Sequence, residues 1–286
     1  MSTKEDFNSS DPIAWCPGCG NFGILQALKQ SLIELNLAPW QVIMISGIGQ
    51  AAKIPHYLKV NCFNGLHGRT LAAAFGVKAV NHKMTVIAAG GDGDAYAEGG
   101  NHFIHAMRRN PDITYLVHDN QIYGLTKGQA SPTTDLGTKT GTTPFGSVDI
   151  PESPLATAVS LNCSFVARGF AGDIPHLSGL IKQGITHKGF ALIDILQPCV
   201  TFNKINTYQW YKERVYKLEE DKSYDRTNRI KAFEKALEWG AKIPIGVIYS
   251  KERPIFEDSI FSPGDESLSR QPLTPPAALK MLEKYA

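Results

Sequence analysis

Six apolar runs of strand length recur along the first two-thirds of the chain, and stretches with helical periodicity lie between them. Most of the runs are continuously apolar and rich in β-branched residues, which is the pattern of strands buried on both faces. The runs are 41–46, 58–63, 84–89, 113–118, 164–170 and 191–196. Because strands that alternate with helices build βαβ units, the sequence predicts an α/β fold with a mostly parallel sheet flanked by helices.

Helical periodicity marks segments between and after these runs. The predicted helices cover 22–36, 98–109, 173–187 and 227–239. In the first of them, Leu25, Leu28 and Leu32 fall on one face, as in a helix that packs on a sheet. Asp173 opens the third helix, where an aspartate can accept hydrogen bonds from the free N–H groups of the first turn.

Two segments depart from this alternation. Residues 123–153 are rich in Gly, Thr, Ser and Pro and carry almost no apolar period, which indicates a functional loop or a partner-binding surface. After Cys199 the composition becomes polar and charged. We therefore predict a cofactor-binding domain over 1–200 and a C-terminal extension over 201–286 that packs on this domain or on a partner subunit.

The overall composition excludes several classes of protein. The formal net charge is +2, so no broad basic surface for nucleic acid is expected. No apolar stretch approaches the roughly 18 residues that a membrane-spanning helix needs. The first residues are polar and acidic, unlike a signal peptide, and we expect a cytoplasmic protein.

Cys16 and Cys19 form a C-x-x-C pair, which suits a metal clip, a redox disulfide or a tight turn. The cytoplasm keeps most thiols reduced, and the chain has an odd number of cysteines, five. These two facts favour metal binding or redox chemistry over a disulfide framework.

The strongest motif follows the strand 84–89, which runs into Gly-Gly-Asp-Gly-Asp, then a helix, then a strand that ends before Asn120. Ligands of a parallel sheet bind beyond the carboxyl ends of its strands, where Asp92 and Asn120 stand. The glycines let the backbone approach a phosphate, and carboxylate and amide oxygens suit Mg²⁺ or Ca²⁺. The alternative interpretation is a glycine-rich turn without a ligand.

The G-D-G motif followed after 26 residues by Asn120 resembles thiamine-diphosphate enzymes, and further motifs narrow the resemblance. In order, these are 15–20 (W-C-P-G-C-G), 46–49 (S-G-I-G), 65–69 (G-L-H-G-R), 91–94, 99–102, 120–129 and 197–199 (Q-P-C). The chain resembles the β subunits of 2-oxoacid:ferredoxin oxidoreductases, the 2-oxoglutarate synthase type included, over about residues 12–205. The resemblance implies the thiamine-diphosphate-binding fold.

It also implies a set of cofactor-binding positions. By family position these are Gly18, Cys19, Gly49, His67, Gly91, Asp92, Gly93, Asp94, Asn120 and Ile122. Asp92, Asn120 and the carbonyl of Ile122 would hold Mg²⁺ on the diphosphate. The alternative for His67 is a turn histidine at the start of the helix near Gly68.

The same resemblance assigns a [4Fe–4S] cluster to Cys16, Cys19 and Cys199, since thiolates are the usual ligands of such clusters. Where the family pattern has a fourth cysteine, this chain has Gln50. The cluster then takes a non-thiolate ligand, or Cys62 substitutes, or the cluster is incomplete or absent. Cys62 lies in a predicted strand, and buried free cysteines are common, so a core position is favoured for it, as for Cys163.

The family reaction is the coenzyme A-dependent oxidative decarboxylation of a 2-oxoacid, here 2-oxoglutarate in preference to pyruvate, with electrons passed to ferredoxin. The anionic substrate needs positive charge, for which Lys127 is the first candidate, with Thr126 beside it, and Lys53 the second. The alternative for each lysine is a solvated surface position. Only one cofactor half is present, so a separate α (or α/γ) subunit would supply the pyrimidine-binding half.

Two other classes of protein remain as alternatives. One is a thiamine-dependent decarboxylase half without a cluster, which Gln50 favours. The other is a scaffold in which the cysteines bind Zn²⁺. A second C-x-x-C pair would support this alternative, and the sequence does not contain one.

Overall fold

Eight strands form one sheet in the computed structural model, which describes residues 2–262, 264–271 and 282–283. The described residues contain ten strands, of which β5 and β6 lie outside this sheet: β1 (Val42–Ser46), β2 (Asn61–Asn64), β3 (Thr85–Gly91), β4 (Ile113–Asp119), β5 (Ile122–Tyr123), β6 (Gln129–Ala130), β7 (Phe165–Phe170), β8 (Ala191–Leu196), β9 (Val215–Lys217) and β10 (Ile243–Ser250). The helices are α1 (Asn21–Glu34), α2 (Ile54–Tyr57), α3 (Thr70–Val80), α4 (Gly100–Arg109), α5 (Pro154–Ser160), α6 (Ile174–Thr186), α7 (Tyr208–Lys212) and α8 (Arg229–Leu237).

The strand order in the sheet is β2-β1-β3-β4-β8-β7-β10-β9. Neighbouring strands are parallel throughout, except that β10 runs antiparallel to β7. The separate strands β5 and β6 form a short antiparallel ribbon at the start of the predicted loop 123–153. The predicted α/β class, with a mostly parallel sheet and flanking helices, is confirmed.

Helices cover both faces of the sheet, so the central strands are buried on both sides. On one face α1 and α6 pack together, and Leu28 and Leu177 belong to the same apolar cluster as Ile193 of β8. On the other face Phe103 of α4 and Leu155 of α5 join a cluster with Val117 of β4. This double cover explains why β4 and β8 are mostly apolar in sequence and buried along their whole length.

The predicted helix starts and ends are confirmed to within a few residues. Asp173 caps α6, where its side chain accepts a 3.2 Å hydrogen bond from the backbone N–H of His176. α4 ends at Arg109, and the capping residue Asn110 adopts a left-handed conformation with φ of 57° just before Pro111.

The prediction of a buried strand over 58–63 was wrong. Only the last part of this run joins the sheet, as β2, and all four of its residues are exposed. β2 lies at the edge of the sheet and pairs with β1 alone, while Leu58, the buried apolar residue of the run, precedes the strand. Cys62 is consequently exposed, and the expected core position for it was wrong, whereas Cys163 is buried as predicted.

The segment after residue 200 contributes two strands that the sequence analysis did not predict. β10 inserts beside β7 and is almost entirely buried, and β9 continues the sheet beyond it. The division of the chain at residue 200 stays a prediction, and most of its last 15 residues lie outside the described ones. Within the described residues, no helix has the length and apolar character needed to cross a bilayer.

Candidate cofactor site

Two adjoining pockets lie beyond the carboxyl ends of the parallel strands. The first, which we call the glycine cleft, is lined by residues 48–51, 67, 91–94, 120 and 122–126. The second, the thiol pocket, is lined by residues 15, 16, 19, 21, 50, 120, 124, 197 and 199–202. Gln50, Asn120 and Gly124 line both pockets, so the two share a wall.

Most of the predicted site residues meet in these pockets. The glycine cleft contains Gly49, His67, Gly91, Asp92, Gly93, Asp94, Asn120, Ile122 and Thr126. The thiol pocket contains Cys16, Cys19 and Cys199 together with Gln50. Gly18 lies in the turn between the first two of these cysteines, with a φ of 83°.

Asp92 follows β3 and is held from one side by the long loop. Its Oδ2 accepts hydrogen bonds from Ser131 Oγ at 2.5 Å and Thr133 Oγ1 at 2.7 Å. Burial raises the pKa of the Asp92 carboxyl to about 6, although these two hydroxyls oppose the shift. The sequence analysis missed both hydroxyl residues; a hydroxyl-rich run inside a loop with few apolar residues was the available signal.

Thr133 also contacts a second acid, because its Oγ1 lies 2.8 Å from Asp119 Oδ1. A hydroxyl has one hydrogen, so Thr133 can donate it to only one of the two carboxyls at a time. Burial, with Asp194 and Asp92 nearby, raises the pKa of Asp119 well above its ordinary value. The two buried acids thus share one hydroxyl donor, and of the two it is Asp92 that lines the glycine cleft.

Asn120 is oriented by Gln197, which joins the two pockets. Asn120 donates from Nδ2 to Gln197 Oε1 at 2.8 Å, and its Oδ1 accepts from the backbone N–H of Ile122 at 3.0 Å. Gln197 in turn donates from Nε2 to Cys19 Sγ at 3.3 Å. Gln197 was recognised in the sequence only as part of the Q-P-C motif, and its bridging role emerges from the structure.

Asp94 holds two loops against the end of β3. Its carboxylate accepts hydrogen bonds from the backbone N–H of Ile48 at 3.0 Å, the backbone N–H of Gly68 at 2.8 Å and the hydroxyl of Thr70 at 2.8 Å. His67 Nδ1 lies 3.3 Å from the same carboxylate. Because these donors occupy the buried carboxylate, Asp94 shapes the cleft by fixing the S-G-I-G and G-L-H-G-R loops.

Two positions of the cleft require glycine, Gly93 because of the space around it and Gly49 because of its backbone conformation. A Cβ on Gly93 would lie 2.1 Å from the ring of Tyr123, so no larger residue fits there without displacing that ring. Gly49 has a φ of 120°, a conformation that L side chains rarely adopt, and a Cβ there would meet nothing within 4 Å. The backbone at Gly49 thus borders open space.

The thiol pocket is built on a turn fastened to the S-G-I-G loop. The backbone N–H of Cys19 donates to the carbonyl of Cys16 at 3.0 Å, and Trp15 Nε1 donates to the backbone carbonyl of Gln50 at 2.8 Å. Cys199 Sγ accepts from the backbone N–H of Phe202 at 3.4 Å. Burial, reinforced by Cys199 and Cys16, raises the pKa of the Cys19 thiol to about 11.

The candidate substrate lysines do not line the cleft. Lys127 is exposed and directly follows Thr126, whose hydroxyl donates to Gln129 Oε1 at 2.6 Å. Lys53 lies in the short helical turn after Gln50. The substrate role of both lysines stays a prediction.

Two known protein families match most of the chain, including most of the residues that line the two pockets. The family described as thiamine pyrophosphate enzyme, C-terminal TPP binding domain, matches residues 44–195. A second family, described as the C-terminal part of the pyruvate ferredoxin oxidoreductase beta subunit, matches residues 199–262. Together the two matches include the whole lining of the glycine cleft and that of the thiol pocket apart from Gln197 and the lining residues at 15–21.

Individual relatives are similar over most of their length. A 2-oxoglutarate synthase subunit KorB of Methanocaldococcus jannaschii is 35% identical over 87% of this chain and 92% of its own. A solved 2-oxoglutarate:ferredoxin oxidoreductase from Magnetococcus marinus, with 2-oxoglutarate, coenzyme A and succinyl-CoA bound, superposes with a TM-score of 0.90 at 35% identity, over 98% of this chain and 96% of that chain.

A 2-oxoacid:ferredoxin oxidoreductase subunit beta of Saccharolobus solfataricus is 49% identical over 83% of this chain and 82% of that protein. This identity, together with the match to the thiamine pyrophosphate-binding domain family, shows that the chain belongs to the family of 2-oxoacid:ferredoxin oxidoreductase β subunits.

Proposed function

We propose that this subunit supplies the diphosphate-binding half of an enzyme that oxidatively decarboxylates a 2-oxoacid, with 2-oxoglutarate preferred over pyruvate. Coenzyme A accepts the acyl group and ferredoxin accepts the electrons. The observation that carries the proposal is the wall shared by the glycine cleft and the thiol pocket, since a cofactor and an electron exit must be neighbours. The substrate preference rests on the 2-oxoglutarate enzymes among its relatives.

The donor atoms of the glycine cleft fit Mg²⁺ and thiamine diphosphate. Asp92 and Asn120 offer a carboxylate and an amide oxygen, which with the Ile122 carbonyl form a hard-oxygen set for Mg²⁺. Gly91 and Gly93 let the backbone approach the diphosphate. When bound, thiamine diphosphate supplies the carbon centre that adds to the 2-oxo group and accommodates the electrons of decarboxylation.

The chain's own residues prepare this site. Ser131 and Thr133 fix the carboxylate of Asp92, and Asn120 donates from Nδ2 to Gln197. The Oδ1 of Asn120 accepts one hydrogen bond, from the Ile122 N–H, and keeps a second lone pair for the metal. Asp94 holds the loops that carry Gly49 and His67, the residues that would approach the thiamine rings when the cofactor is bound.

The thiol pocket fits an iron–sulfur cluster with Cys16, Cys19 and Cys199 as ligands. The three cysteines come from two distant parts of the chain, and a positively charged iron centre would favour the thiolate form that burial of Cys19 opposes. In the described residues, no three His, Cys, Asp or Glu side chains are grouped closely enough for a single metal ion. This spacing disfavours the Zn²⁺ clip, whereas a cluster offers a separate iron to each thiolate.

The enzyme requires a partner subunit, α or α/γ, to supply the pyrimidine-binding half. We expect the purified single chain to show no turnover of 2-oxoacids, because the glutamate that activates the thiamine ring would belong to that partner. Turnover by the chain without its partner would contradict this part of the proposal.

The test uses the complex purified without air and assayed with coenzyme A and ferredoxin. We expect iron and acid-labile sulfide, and a higher kcat/KM for 2-oxoglutarate than for pyruvate. Colourless protein that binds thiamine diphosphate would favour the cluster-free decarboxylase instead. Lys127→Met should raise the KM for the 2-oxoacid, while Lys139→Met, on the same loop, should not; equal values would remove Lys127 from the substrate site.

A further inference from the structure

Position 50 departs from the family pattern at the point where the two pockets meet. Gln50 lines the thiol pocket together with Cys16, Cys19 and Cys199. Its side-chain Oε1 is buried and has no hydrogen-bond partner. Burying a polar atom without a partner costs free energy, because the atom loses its hydrogen bonds to water and gains none in exchange. The Oε1 atom of Gln50 is therefore expected to have a partner when the site is occupied.

The backbone holds Gln50 at this place. The indole of Trp15, next to Cys16, donates to the backbone carbonyl of Gln50 at 2.8 Å, and this ties the residue to the cysteine turn. Gly124 lies on the other side, where an added Cβ would be 3.8 Å from Gln50 Cγ. The side chain is thus confined between the turn and the wall of the cleft.

The rival residue, Cys62, does not reach this pocket. Cys62 is exposed on the edge strand β2 and is absent from the lining of the thiol pocket. In the sheet it pairs with Met44, two residues before Ser46, the last residue of β1. Two strand residues span about 7 Å, so Cys62 lies back from the end of the sheet where the pockets open.

We infer that the Oε1 atom of Gln50 is the protein ligand of the fourth iron of the cluster. The inference rests on the proposed cluster and specifies how it is completed. A neutral amide oxygen in place of a thiolate leaves the cluster with one negative charge fewer, and lower negative charge raises the reduction potential. An amide oxygen also binds iron more weakly than a thiolate, so the iron that faces Gln50 is the one that exchanges.

Oxidation of the cluster makes the weaker binding of the iron at Gln50 measurable. Ferricyanide removes one electron from the [4Fe–4S]²⁺ core, one Fe²⁺ leaves from the site with the weakest protein ligand, and a [3Fe–4S]⁺ core remains. The ferricyanide is reduced to ferrocyanide, so charge and iron balance. The three-iron core has an electron paramagnetic resonance signal that the four-iron core in this state lacks.

The experiment titrates the complex, purified without air, with ferricyanide and follows that signal together with the released iron. We expect the native complex to convert readily, Gln50→Cys to resist conversion and to have a lower reduction potential, and Gln50→Leu to lose iron several-fold faster than the native complex. Gln50→Glu retains an oxygen ligand and adds a charge, so its potential should fall while conversion continues. Cys62→Ser is the control and should behave as the native complex does.

The outcomes separate the two levels of the proposal. Protein that contains iron and sulfide, but in which Gln50→Cys and Gln50→Leu behave as the native complex does, would overturn the ligand assignment and leave the cluster standing. Loss of the cluster in Cys62→Ser would transfer the fourth position to Cys62. Protein without iron or sulfide would overturn the cluster itself, and the inference with it.

Discussion

Asp94 offers the sharpest test of how the glycine cleft is held together. Its buried carboxylate accepts hydrogen bonds from Ile48, Gly68 and Thr70. Asp94→Ala removes the acceptor from all of them and leaves buried donors without partners, each at a cost of about 1–3 kcal/mol. We expect the free energy of unfolding to fall by about 3–5 kcal/mol. This value lies toward the lower end of the summed cost of the three donors, because water partly replaces the lost carboxylate.

Asp94→Asn separates the hydrogen bonds from the charge. The amide oxygen can still accept from the two backbone N–H groups, both of which bind Oδ1, and the Thr70 hydroxyl can turn to accept from the new NH₂ group. We expect a loss of only about 1–1.5 kcal/mol, since charge-assisted bonds become neutral ones. Glu98→Gln is the matched control, because Glu98 is exposed and its carboxylate also lies beside His67, at 3.5 Å.

The assay is urea unfolding of the purified chain, followed by tryptophan fluorescence, with magnesium thiamine diphosphate affinity measured in parallel by calorimetry. We expect the order of stability native, Glu98→Gln, Asp94→Asn, Asp94→Ala, with the control within about 0.5 kcal/mol of the native chain. Cofactor affinity should fall with Asp94→Ala and be largely kept by Asp94→Asn. An Asp94→Ala variant within about 1 kcal/mol of the native chain, or an asparagine as damaging as the alanine, would refute the reasoning.

Three further predictions concern single positions. Asp92→Ala should abolish magnesium-dependent binding of thiamine diphosphate while the chain stays folded; unchanged binding in calorimetry would refute the metal assignment. Gly93→Ala should weaken cofactor binding because its Cβ meets the Tyr123 ring at 2.1 Å, and Tyr123→Ala in the same chain should restore part of the affinity; an equal defect in the double variant would exclude this clash as the cause. Burial raises the pKa of the Cys163 thiol to about 12, so mass spectrometry after iodoacetamide treatment of the native protein should find Cys62 alkylated and Cys163 unmodified; the reverse pattern would contradict the fold.

Wherever the physical signal is local, the sequence predicts this protein well. Strands β3, β4 and β8 are mostly apolar because helices cover both of their faces, and they could be predicted to within two residues. The placement of Asp92 and Asn120 also follows from the sequence. In a parallel sheet the carboxyl ends of neighbouring strands meet at one edge, so two polar residues after two such strands must approach each other.

The tertiary structure alone decided which segments are neighbours. β2 was expected to be buried and is exposed, because its place at the edge of the sheet depends on strand order and not on its own residues. β10 is distant in sequence from β7, and it joins the sheet by pairing antiparallel with that strand. No local sequence pattern predicts this pairing.

The same holds for the contacts that complete the site. Gln197 reaches Asn120 and Cys19 across sequence separations of 77 and 178 residues, and Thr133 reaches Asp92 across 41. Hydrogen bonds of this kind depend on distances between atoms set by the packing of the whole sheet, and a residue's type and periodicity carry no information about them. Gln50 shows both contributions: the sequence identifies it as a missing cysteine, and the fold brings the residue to the pocket of the other three, with its side-chain oxygen buried and without a partner.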